Sequence, residues 1–168
     1  MKQALQQLYD LLLEQKDTLE GLLELSREER RIIISGEAPM LEDVVRKELR
    51  ALSKLGAIEK RRAALHPALA EELGVTDGNI NVSVIIGKVQ PAERELFKRL
   101  QLELTTLISE HSALNTENRE LIAAHMEYTE SLMDLMVDSE DPLNNFYGGD
   151  GKTAPDRKKA TGFFDGHA

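Results

Sequence analysis

The chain has 168 residues, of which 30 % are charged and 4 % aromatic, and it carries a formal charge of −9. It contains neither Cys nor Trp, which excludes disulfide scaffolds, thiolate metal sites and cysteine catalysis. The acidic balance argues against nucleic acid, whose phosphates reward basic surfaces. No apolar run approaches the length of a bilayer span. The first fifteen residues carry Asp10 and Glu14 where a secretory signal needs an unbroken apolar core, so a cytoplasmic protein is expected.

The composition, rich in Leu, Glu, Lys and Ala, suits long helices. A first helix is expected over residues 2–34. Leu5, Leu8, Leu12, Leu19, Leu22 and Ile33 keep a heptad register, with Gln15, Ser26 and Glu29 at the skipped positions. Gly36 can take the left-handed cap and Pro39 can open the next helix, so the first two helices should be antiparallel neighbours. The second helix reads over 39–65, with Leu41, Val45, Leu49, Leu52, Leu55 and Ile58 as its apolar stripe. Pro67 ends or kinks it, and a further turn or two runs to Gly74. In residues 77–90, Ile80, Val82, Val84 and Ile86 alternate as a strand would, yet no strand partner exists elsewhere. Ile80, Val84 and Ile85 also fit a short helix capped by Asp77 or Asn79, and a short helix is expected.

The dominant element is one long helix over 91–138. Its seam is Phe97, Leu100, Leu104, Leu107, His111, Leu114, Asn118, Leu121, His125, Tyr128, Leu132 and Leu135, stepping three and four without a break. At 1.5 Å per residue it is about 70 Å long. The expected fold class is therefore all-α: an elongated antiparallel helical bundle over 1–138, with the long helix packed antiparallel to the first two and a flexible C-terminal tail over 139–168. Three polar seam positions, His111, Asn118 and His125, weaken packing but can fix register.

Little points to catalysis, and neither a cofactor nor a metal is expected. Residues 148–153 read GGDGKT, but Phe146 stands where a phosphate loop needs its first glycine. A di-iron bundle needs Glu-x-x-His pairs, and Ala63, Ile108, Ile122 and Phe164 stand three before the histidines. Arg27, Glu28, Glu29, Arg30 and Arg31 read as a solvated face. The one surface that stands out is a second stripe on the long helix: Ile122, Met126, Thr129, Met133 and Met136. Earlier equivalents such as Lys98, Gln101, Thr105 and Ser112 are mostly polar, so the apolar face widens only near the end. Methionine suits surfaces that accommodate varied partners. The tail beyond holds Phe146 and Tyr147, and a purely solvating tail has little use for aromatics. The candidate partner-binding residues are Ile122, Met126, Met133, Met136, Phe146 and Tyr147. The competing reading makes the stripe core against two neighbouring helices.

Three stretches carry a resemblance: Ile34-Ser35-Gly36-Glu37 with Leu41; Leu114-Asn115-Thr116-Glu117-Asn118-Arg119-Glu120-Leu121-Ile122 with Tyr128 and Leu132; and Tyr147-Gly148-Gly149-Asp150-Gly151-Lys152. In this order and spacing the chain resembles the FlgN family of flagellar export chaperones over nearly its whole length. The resemblance implies a small, acidic, cytoplasmic helical protein that is not an enzyme. Such a protein binds hook-associated (hook–filament junction) proteins, prevents their premature assembly and delivers them to the flagellar type III export apparatus. It places client binding toward the C-terminal part, and the amphipathic terminal helices of the clients are the expected ligands. The alternatives are a structural coiled-coil homo-oligomer and an adaptor of a virulence-type secretion system.

Overall fold

The computed structural model describes residues 1–75 and 80–144. Five helices follow one another: α1 (Gln3–Ser35), α2 (Ala38–Ala64), α3 (His66–Leu73), α4 (Val82–Lys88) and α5 (Pro91–Asn144). No strand occurs among the described residues. The chain divides into a first unit, Met1–Met126, and a second, Glu127–Ala168.

α1 buries more than one seam. Leu5, Leu8, Leu12, Leu19, Leu22, Ser26 and Ile33 keep the heptad register, and Leu11, Thr18, Leu23 and Ile32 are buried beside them. A face this wide serves two neighbours. Lys2 gives no side-chain cap at the start of α1. The free amides there are taken by Glu72 of α3, whose carboxylate accepts from Ala4 N (2.8 Å) and Leu5 N (3.2 Å). An acid at a helix N-terminus also opposes the macrodipole. At the other end Gly36 adopts φ 74°, and its amide donates to Ile32 O at 3.0 Å. That is the left-handed cap expected from the sequence.

α2 returns antiparallel to α1. Glu14 holds Arg61 at 2.8 Å and Lys54 at 3.8 Å near one end, and Ser26 donates to Glu48 at 3.0 Å toward the other. Its buried face takes Leu41, Leu55 and Ile58 of the expected stripe but not the other three. Val44 and Ile58 are buried, with Leu41, Glu48, Ala51 and Leu55 half-buried in the same register. Val45, Leu49 and Leu52 are exposed. The apolar residues fall on two lines about 100° apart, and α1 takes the line that includes Glu48, whose carboxylate accepts from Ser26.

The chain breaks at Leu65, and α3 places Leu69 in the core before Gly74 closes it at φ 63°. Residues 82–88 are helical rather than extended. Asn81 is the cap, accepting from Val84 N at 2.9 Å, in place of Asp77 or Asn79, which lie outside the described residues. The main core gathers the start of α1, α3, α4 and the start of α5. Leu5, Leu8, Leu69, Ile85, Val89 and Phe97 meet there, and Tyr9 sets its edge on Phe97 at 5.6 Å.

α5 is one helix through Asn115 and Asn118 and extends to Asn144, taking in Pro142 near its end. It runs parallel to α1, not antiparallel. Met1 N meets Glu93 (3.3 Å), Lys16 meets Glu103 (2.8 Å), Arg27 meets Glu110 (3.9 Å) and Arg30 meets Glu117, in ascending order on both helices. Because α2 brings the chain back to the end where α1 began, and α3 and α4 pack there, α5 climbs in α1's direction.

Candidate protein-binding surface

The seam of α5 changes character along its length. Phe97, Leu100 and Leu104 are buried, while Leu107, His111, Leu114 and Leu121 are half-buried around the buried Asn118. From His125 onward the seam is exposed, including Tyr128, Leu132 and Leu135.

Of the residues singled out from the sequence, Ile122 is half-buried and Met126 is 60 % exposed; both belong to the first unit. Met133 and Met136, in the second unit, are 63 % and 68 % exposed. Phe146 and Tyr147 lie outside the described residues; of the tail expected over 139–168, residues 139–144 are instead the last turns of α5, and the rest lies outside the described residues. Sequence reading missed that Tyr128, Leu132 and Leu135 are exposed as well. Their heptad register is equally that of a residue packed inside a bundle, so period alone gave no signal. Glu120, Glu127, Glu130 and Asp134 occupy the opposite side of the helix. The end of α5 is thus an amphipathic helix with a broad apolar arc and an acidic back. It offers thioether and aliphatic contact rather than acid–base or nucleophilic chemistry. Among the described residues no three His, Asp or Glu converge as a metal site would need.

Within the first unit a polar node joins α1, α2 and α5. Asn118 Nδ2 donates to Ser26 O at 2.9 Å and to Glu29 Oε2 at 2.7 Å. Ser26 Oγ reaches Glu48 of α2. Burial raises the Glu48 carboxyl above its ordinary value, the Ser26 bond opposes this, and Glu29 adds to it. Burial also holds His111 below the ordinary imidazole value, against the pull of Glu29. The cluster read as a solvated face is so only in part: Arg27 and Arg31 are exposed, while Glu28, Glu29 and Arg30 are half-buried and Arg27, Glu29 and Arg30 each reach an α5 residue.

A family profile described as FlgN protein matches residues 1–155. The chain is also 25 % identical over 125 residues to a Bacillus subtilis (strain 168) protein described as "Uncharacterized protein YvyG", spanning 74 % of this chain and 76 % of that one. No solved structure matches.

Proposed function

The chain belongs to the FlgN family, a family of flagellar export chaperones, and from that membership we propose that it is a cytoplasmic escort for hook-associated proteins of the hook–filament junction. In this reading it covers the amphipathic terminal helices through which those proteins polymerise and hands them to the flagellar export apparatus. The client helix binds the stripe of Ile122, Met126, Met133 and Met136, and Phe146 and Tyr147 add aromatic side chains to the partner-binding set. An amphipathic helix seats its apolar face on such a surface through anchors at matching i, i+4, i+7 spacing. The exposure of three methionines on one helix supports this placement, since soluble chains ordinarily hide apolar stripes of helical period. The protein performs no chemistry of its own here; binding and release are the whole activity.

The family match over residues 1–155 carries the functional reading. The test is co-purification of the full chain from a flagellated host. A hook-associated protein is expected in stoichiometric amount. Recovery of the chain alone, under conditions where such proteins are expressed, would overturn the reading.

A further inference from the structure

The charges on α5 change character along its length, as its seam does. Early acids are matched: Glu103 meets Lys16 and Arg99, and Glu117 meets Arg30. Between Arg119 and Lys152 the chain holds no Lys or Arg. Glu127, Glu130 and Asp134 are exposed there and make no ion pair among the described residues. They follow one another by three and four residues, so like charges are neighbours on the helix, which costs stability.

These acids border apolar surface. Glu130 precedes Met133 by three residues and so stands beside it. Glu127 and Asp134 form the next row, about 40–60° further round the helix. Met136 follows Met133 by three on the other side. A ligand on this edge needs an apolar part for the methionines and a cationic part for the carboxylates.

The chain carries such a segment. Arg157, Lys158 and Lys159 are followed, after three residues, by Phe163 and Phe164. With Lys152 these are all the Lys and Arg of the second unit, to which Met133 and Met136 also belong. Arg157 follows the end of α5 at Asn144 by thirteen residues. A chain of that length reaches up to about 43 Å, and the helix from Asn144 back to Glu127 is about 26 Å long. Fully extended, Lys159 and Phe163 stand about 13 Å apart. That is also the rise of the helix from Glu127 to Met136, about 13 Å.

We propose that residues 157–164 dock on this edge of α5, with Phe163 and Phe164 on Met133 and Met136, and the three cations along Glu127, Glu130 and Asp134. The two methionines belong to the stripe read above as the client site, so the consequence, that a client must displace the segment, rests on that reading.

Thiol labelling tests the contact without a client, so it decides the contact whether or not the client reading holds. The chain has no Cys, so Met133→Cys supplies a single thiol. Its reaction with a maleimide should be about fivefold slower in the full chain than in one that also carries Phe163→Ser and Phe164→Ser. Reversing the cations (Arg157→Glu, Lys158→Glu, Lys159→Glu) should speed labelling similarly, and added salt should speed it only where the cations are intact. Ser131→Cys places the thiol about 160° round the helix from Met133 and should label at one rate in every background. Equal rates at position 133 with and without the phenylalanines would overturn the proposal. So would rates indifferent to the charge reversal, protection that grows with protein concentration, or equal protection at position 131.

Discussion

Asn118 is the residue on which the upper bundle turns. It is 1 % exposed and bonded to two groups of α1, while its own Oδ1 is buried without a partner among the described residues. The seam spacing made it legible as a polar register position. Its partners were not legible, since Ser26 and Glu29 looked like gaps in a leucine heptad and Glu48 like surface. Asn118→Asp would set a second carboxylate against Glu29 away from water and should cost about 3 kcal/mol, read as a lower Tm. Glu48 gives a pH signature. Its folded-state value is raised, chiefly by burial, so the fold binds the proton more tightly than the unfolded chain does. The cost of its charge is absent below the ordinary carboxyl value and grows as pH rises through the folded one. Glu48→Gln keeps an acceptor for Ser26 and should raise Tm at neutral pH by a few degrees. That gain should shrink as pH falls toward the ordinary carboxyl range. A gain that grew on acidification would reverse the assigned sign.

At the scale of elements, helix ends were easier to read than helix faces. Gly36, Pro39, Gly74 and Pro91 mark boundaries because backbone geometry is a local property. Which side of α2 faces α1 is not local. Val45, Leu49 and Leu52 form an apolar line of their own, yet the line through Leu41, Val44, Glu48, Leu55 and Ile58 is the one turned inward, with Ser26 bonded to Glu48. The cap that Glu72 supplies to α1 was equally invisible, since donor and acceptor are far apart in sequence. Two glycines separate backbone conformation from packing. Neither Gly21 nor Gly36 has a neighbour where a Cβ would stand, but only Gly36 has positive φ. Gly36→Ala should therefore cost about 1 kcal/mol, whereas Gly21→Ala in the middle of α1 should stabilise by roughly 0.5–1 kcal/mol. Thermal melts of the two single variants should move in opposite directions.

For the whole molecule, the all-helical architecture and the continuity of α5 followed from heptad spacing; its end at Asn144 in place of residue 138 did not, nor did its direction, because a heptad reads the same for a parallel and an antiparallel neighbour. The same ambiguity hid where the seam stops being core. Buried Leu100 and exposed Leu135 occupy equivalent heptad positions. The family match is the basis of the proposed escort role, and what the fold leaves exposed on α5 is the basis for proposing where the client binds. Titration calorimetry of a hook-associated protein into the Met126→Glu, Met133→Glu double variant tests that role most directly. Burying each methionine is worth about 1.5–3 kcal/mol, so affinity should fall by at least about a hundredfold. The melting temperature should not move, since both side chains are exposed. Wild-type affinity in the double variant would contradict the account.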